Sequence, residues 1–112
     1  MFRSASAVLF TIIALGGPSY GATAAFNCNF AKLPAEVAIC NDDELGSLDV
    51  QMARLYFSSI HKLPEEQAIE VKFEQKAFIK TRNSCGSDDE CITASYNSRI
   101  ERLNFWADWE SN

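Results

Sequence analysis

Residues 72–104 read KFEQKAFIKTRNSCGSDDECITASYNSRIERLN, and this stretch decides the fold. Two sets of residues in it recur at intervals of three and four, so each set would share one face of a helix. The first set is Gln75, Phe78 and Arg82, and the second is Tyr96, Ile100 and Leu103. Cys85 and Cys91 lie between the two sets. The stretch therefore predicts two helices joined by a turn that carries a disulfide.

Working outward, the same periodicity predicts helices through the rest of residues 25–112. Pro34 is typical of a helix start and opens a short helix over 34–40. A second helix runs to about residue 62, with Asn41 as its N-cap. The third runs from Pro64 to about 83, and a Ser87–Glu90 capping box opens the fourth, which extends to about 109. Since no stretch alternates like a strand, we predict an all-α fold: a short N-terminal helix plus a three-helix bundle.

The N-terminus has the pattern of a secretory signal peptide, residues 1–24. Arg3 supplies the positive charge, residues 7–15 form an apolar run, and Ala22-Thr23-Ala24 fits the cleavage rule of small residues. The alternative is an uncleaved membrane anchor, but the apolar run is shorter than the roughly 20 residues that a spanning helix needs. We therefore expect a mature domain of residues 25–112, beginning at Ala25, in the periplasm or secreted.

Four cysteines remain after the predicted cleavage. In a small exported domain they indicate two disulfides, and three pairings are open. We favour Cys28–Cys40 and Cys85–Cys91, because each pair closes a short loop beside a helix end. A zinc site is the alternative, but His61 is the only histidine and no CxxC spacing occurs. No cofactor or metal is therefore expected.

The net charge of the mature domain indicates which class of partner it would bind. Removal of Arg3 leaves nine Lys and Arg against 15 Asp and Glu, so the mature domain carries a net charge of −6. This charge disfavours nucleic acid and anionic membranes, and it favours a cationic protein. Net negative charge also keeps an exported protein soluble, which accounts for it without any partner.

Charged residues on the apolar faces of the helices should be paired, because an unpaired buried charge is costly. Antiparallel packing of the second and third helices brings Asp49 within reach of Arg82, and we predict an ion pair between them. Arg99 occupies a similar position on the fourth helix, with Glu36 as its candidate partner. A catalytic role for these residues is the alternative, and pairing between helices is the commoner use of such charges.

A series of short motifs runs from Phe26 to Leu103: Phe26-x-Cys28, Val37-x-Ile39-Cys40, Leu48-Asp49, Tyr56, Gln75-x-x-Phe78, Arg82-x-x-Cys85, Cys91 and Tyr96-x-x-Arg99-Ile100-x-x-Leu103. In their order and spacing these motifs resemble the LprI-type lysozyme-inhibitor family, small exported bacterial helical domains with paired cysteines. Phe78 stands where the family often has tryptophan, and the aromatic tail after Leu103 is not part of the motif.

The resemblance implies a protein that binds a cationic host lysozyme and blocks its cleft without chemistry. The alternative is an envelope or secreted interaction module with no effect on lysozyme. No GxSxG, phosphate-binding loop or Cys-His nucleophile pattern occurs, so we do not expect an enzyme. We expect a monomer that binds a protein.

Two sets of residues are candidates for partner binding. Ile69 and Phe73 point away from the main apolar face of the third helix, and we expect another segment to cover them; if nothing does, they form an exposed apolar patch. Phe105, Trp106 and Trp109 in the aromatic tail either anchor a partner or close the end of the bundle.

Overall fold

The structure, a computed structural model, describes residues 24–110. Residues 1–23, which hold nearly all of the predicted signal peptide, lie outside the described residues, as do 111–112. The described elements are a 3₁₀ turn at Cys28–Phe30, α1 at Pro34–Cys40, α2 at Asp43–Lys62, α3 at Glu65–Ser84 and α4 at Asp89–Ala107. Residues 24–110 contain no strand, and the predicted all-α fold of a short helix plus a three-helix bundle is confirmed.

The three long helices form an up-down-up bundle. The Lys62 side chain at the end of α2 donates to the carbonyl oxygen of Ala107 at the end of α4, at 3.3 Å. The C-terminal ends of α2 and α4 therefore lie together, and the two helices run parallel while α3 runs opposite to both. The short helix α1 packs against α2 and α3.

The N-caps of α2 and α4 lie one residue after the predicted ones. Asp42, not Asn41, caps α2, and its Oδ1 accepts hydrogen bonds from the backbone of Glu44 and Leu45 at 2.8 and 3.0 Å. Asp88, not Ser87, caps α4 and accepts from the Cys91 backbone at 3.2 Å. Asn, Asp and Ser are all good caps, so sequence alone does not choose between neighbours. Pro64 occupies the N-cap position of α3.

The core lies between the long helices and under α1. Its buried apolar side chains come from every helix: Ala35, Ile39, Leu45, Met52, Leu63, Ala68, Val71, Phe78, Ile92, Tyr96, Ile100, Leu103 and Trp106. They follow the predicted spacing because each helix turns one apolar stripe inward. Within the part of the chain that is described, no helix is both long and apolar enough to cross a membrane.

Both predicted disulfides are present. Cys28–Cys40 attaches the N-terminal segment to the end of α1, and Cys85–Cys91 spans the turn between α3 and α4. Gly86 in that turn has φ +63°, a left-handed conformation that glycine adopts without steric cost. The two disulfides therefore hold the N-terminal segment and the α3–α4 turn in place. Both of these segments contribute to the surface of the domain.

Candidate functional site

A buried polar cluster links the three long helices. Asp49 on α2 is only 1% exposed, and its Oδ1 accepts a 2.7 Å hydrogen bond from the Tyr96 hydroxyl on α4. Arg82 on α3 places Nη1 3.7 Å from the same oxygen, so the structure contains the expected ion pair. The second oxygen of Asp49 accepts from the backbone N–H of Ala25 at 2.8 Å.

Each side chain of this polar cluster has a hydrogen-bond or ion-pair partner. Asn83 Oδ1 accepts two hydrogen bonds from the guanidinium of Arg82, at 3.1 and 2.8 Å. Burial raises the pKa of the Tyr96 hydroxyl well above its ordinary range, and the negative charge of Asp49 raises it further. Tyr96 therefore stays protonated as a donor, and the geometry suits connection of the helices better than proton transfer.

A second polar cluster joins α3 to α4, and sequence reasoning assigned its carboxylate wrongly. Arg99 pairs with Glu74 at 3.4 Å, not with Glu36. The Glu36 carboxylate instead accepts from the backbone of Lys32 and Leu33, both at 3.0 Å, and those two bonds lower its pKa. Glu36 is therefore committed to the start of α1.

Glu74 is the centre of this second cluster. Its carboxylate accepts hydrogen bonds from the Arg102 guanidinium at 2.7 Å and from the indole N–H of Trp106 at 3.0 Å. Burial alone would raise the pKa of Glu74, but the hydrogen bonds from Arg102 and Trp106 and the two arginine charges lower it overall. Arg99 also donates to the Gln75 side chain and the Val71 carbonyl, at 2.9 and 3.2 Å. The sequence signal for Glu74 was its distance from the α3–α4 turn, which brings it opposite Arg99 when the two helices pack antiparallel.

The outer side of α3 and α4 carries an exposed apolar surface. Ile69 is 58% exposed and Phe73 73%, so the expectation that another segment covers them is wrong. The reason is that α1 packs on α2 and α3 from a different side. Phe73 and Arg102 line a shared cleft of about 320 Å³, and the Arg102 guanidinium lies 4.6 Å from the ring centre of Phe105. We call Ile69, Phe73 and Phe105 the α3–α4 ridge.

The aromatic tail divides between core and surface. Phe105 is 51% exposed and belongs to the ridge. Trp106 is buried and donates to Glu74, so it closes the bundle and is not accessible as a partner anchor, which corrects its prediction as a binding residue. Trp109 is half-buried against the core, just beyond the end of α4. Of the three aromatics, Phe105 is thus the most exposed.

A larger groove of about 790 Å³ opens between the N-terminal segment, α2 and α3. Its walls include Phe30, Phe57 and Ile79, all exposed, and its floor reaches Asp49 and Arg82. Sequence reasoning missed this groove, because its walls come from three separate segments. The one available signal was Phe57, an aromatic residue off the apolar stripe of α2.

Acidic residues mark both ends of the bundle. Because α2 and α4 run parallel, their caps and first turns, residues 42–44 and 88–90, bring six carboxylates to one end. Glu65 and Glu66 begin α3 at the other end, the end nearer the ridge. All of these positions suit the helix dipole, which favours negative charge at a helix N-terminus.

Comparison with known proteins identifies no relative of this chain: no family model, no curated protein and no solved structure matches it. Among residues 24–110, no group of three or more His, Cys, Asp or Glu side chains is placed to hold a metal ion. The geometry on which a function can be argued is therefore that of the ridge, the groove and the charge distribution.

Proposed function

We propose that this chain is an exported protein-binding domain that inhibits a cationic muramidase of the lysozyme type through the α3–α4 ridge. The observation that carries the proposal is the exposure of two aromatic residues on a bundle with two disulfides: Phe73, which lines a cleft with Arg102, and Phe105, whose ring centre lies 4.6 Å from the Arg102 guanidinium. Exposed aromatic residues that border an apolar cleft are typical anchors of protein interfaces.

The rigidity of the ridge supports this function. Arg102 is held by Glu74 at 2.7 Å, and its guanidinium also lies 4.9 Å from the ring centre of buried Trp106. The exposed Phe105 ring is in turn in edge contact with Trp106, with the ring centres 5.2 Å apart. A surface ordered before binding loses less conformational entropy when the complex forms.

The net negative charge of the domain supports a cationic protein as its partner. The domain of residues 25–112 carries −6, and Glu65, Glu66 and Glu70 lie toward the end of the bundle that carries the ridge. A negative field raises the association rate of a cationic protein and is screened by salt over about 10 Å at 0.1 M. The family resemblance then favours lysozyme among cationic proteins.

The test is a cell-wall clearing assay with chicken-type lysozyme and the mature, oxidised domain, at low and at physiological salt. Wild-type protein should inhibit in proportion to its concentration, and Phe73→Ser should weaken inhibition about tenfold, as for an interface anchor worth ~1.4 kcal/mol. Phe30→Ser is the matched control, because Phe30 is also 73% exposed but lines the groove.

Two outcomes would contradict parts of the proposal. Equal loss with Phe73→Ser and Phe30→Ser would contradict the assignment of the ridge. Absence of inhibition at both salt concentrations, with other lysozyme types included, would contradict the lysozyme assignment and favour an interaction module for another protein. The partner surface should be probed by such single substitutions, because removal of the tail from residue 105 onward would also delete Trp106 from the core.

A further inference from the structure

The backbone nitrogen of Ala25 occupies an unusual place for a chain terminus. It lies 2.8 Å from Oδ2 of Asp49, a carboxylate that is 1% exposed at the centre of the bundle. Ala25 is also the residue at which the sequence predicts the mature chain to begin. The cleavage pattern and the geometry are independent observations, and both identify the backbone nitrogen of Ala25.

We propose that Asp49, oriented by Tyr96 and Arg82 on its other carboxylate oxygen, binds an α-ammonium group, and that this group is the N-terminus created by cleavage between Ala24 and Ala25. Hydrolysis of that peptide bond leaves a carboxylate on Ala24 and a free amine on Ala25, which is protonated at neutral pH. The neutral N–H donor of the precursor then becomes a charged donor at the same position.

The site is built for such a cation. Tyr96 donates to Oδ1 of Asp49, and Arg82 approaches that same oxygen at 3.7 Å. Oδ2 is left facing the N-terminal segment. It accepts a hydrogen bond from the Ala25 amide, and a charge-assisted hydrogen bond at this position would be roughly twice as strong as the neutral one.

Two features hold the N-terminal segment at this site. Cys28, three residues after Ala25, is bonded to Cys40 at the end of α1. Between them, the Phe26 ring packs against the core with its centre 5.7 Å from the Arg82 guanidinium. The disulfide and the packing of Phe26 restrict the positions open to the new terminus, so less conformational entropy is lost when the ammonium pairs with Asp49.

The pairing has a consequence for the groove. Ala25, Phe26 and Asn27 form one of its walls, opposite α2 and α3. An ion pair between the terminus and Asp49 would restrict the motion of these three residues. Removal of the leader would therefore order this wall of the groove. The precursor, with an amide in place of the ammonium, holds the wall less firmly.

The inference rests on the predicted cleavage and is independent of lysozyme binding. Its first test is the mass of the protein that is exported from the full-length precursor, which should begin at Ala25. A mature chain that begins at Phe26, or one that keeps the leader, would overturn it. Neither result bears on inhibition, so the two proposals fail separately.

The second test displaces the ammonium but keeps the Ala25 amide. Insertion of Gly-Ser between residues 24 and 25 yields an exported chain whose amine lies two residues upstream, while the Ala25 N–H remains available to Asp49. The insertion should lower the melting temperature by about 4–8 °C. With Asp49→Asn in both chains, the same insertion should change it by less than about 2 °C.

An unchanged melting temperature after insertion, or equal losses in the two backgrounds, would contradict the pairing. Because Asp49→Asn sits in the core and can impair folding, a further measurement keeps the test independent of that variant. The Ala25 amine of the wild-type protein should react with an acylating reagent several-fold more slowly in the folded state than after reduction and unfolding. Equal rates would overturn the proposal.

Discussion

The hydroxyl of Tyr96 on α4 donates a 2.7 Å hydrogen bond to Asp49 on α2, and neither residue is more than 1% exposed. Asp49 and Tyr96 each lie about two turns into their helices, so the bond joins parallel helices at one level. It fixes the lengthwise register of α2 against α4. Arg82 then adds α3 to the same point.

Replacement of Tyr96 by Phe removes this donor and leaves Asp49 with one fewer partner in a dry environment. We expect the free energy of unfolding to fall by about 1–3 kcal/mol, the cost of a buried polar group that loses its hydrogen bond. Urea denaturation followed by circular dichroism measures the change. Tyr56→Phe, at a half-buried position, should alter stability by no more than about 0.5 kcal/mol. Equal effects at the two sites would contradict the role of the Tyr96 hydroxyl.

Replacement of Arg82 by Met should cost more. Asp49 would stay buried but lose the Arg82 guanidinium that lies 3.7 Å from it, and removal of one member of a buried ion pair costs about 3–5 kcal/mol. Combined with Asp49→Asn, the loss should be smaller than the sum of the two single losses, since the residues are coupled. Additive losses in denaturant titrations would show that the pair contributes nothing. Arg54→Met, at an exposed position, is the control.

Glu74 should make stability depend on pH in the acid range. Its pKa in the folded protein is below the ordinary glutamate value of about 4.3, so its ionised form stabilises the fold. That contribution is complete above the unfolded pKa, and it is lost as the pH falls below about 4.3 toward the lower folded pKa.

The difference in unfolding free energy between wild type and Glu74→Gln should therefore be largest near pH 6 and shrink below pH ~4. Thermal denaturation at a series of pH values measures it. Glu36 also has a lowered pKa, but it is present in both proteins and cancels in the comparison. A difference that is constant with pH would contradict ionised Glu74 as the source.

The two disulfides should contribute unequally. Cys28–Cys40 spans 12 residues and Cys85–Cys91 spans six, so the chain-entropy model gives about 3 and about 2.4 kcal/mol. The difference should be larger in practice, because loss of the first bond also frees the segment that carries Phe26 from the core. Paired Cys→Ser variants, compared by their denaturation midpoints, test this order. The reverse order would mean that the N-terminal segment contributes little to stability.

Much of the fold could be predicted from local pattern. The spacing of apolar residues located α1 to α4 to within a few residues, because a helix face is a property of one continuous segment. The disulfide pairing followed from loop length. The cap residues were misplaced by one, because Asn41 and Asp42, or Ser87 and Asp88, are chemically equivalent candidates and only the backbone path chooses between them.

Relations between segments were predictable only where one turn fixed them. Asp49 and Arg82 lie on helices joined by a short turn, and counting residues from that turn brought them together. Arg99 and Glu74 lie at matching distances on either side of the α3–α4 turn, so the same count also brings them together. Glu36 was the wrong partner for Arg99, because no single turn joins α1 to α4.

The helices, the short covalent loops and the sign of the net charge could be predicted, because they depend on composition or on residues close together in the chain. The exposure of individual apolar residues could not, because it is set by the packing of the helices. Ile69 and Trp106 are both apolar residues on helices, but one is 58% exposed and the other 4%, because a neighbouring helix covers only the second. Exposure depends on how helices pack, and that depends on side chains distant in sequence.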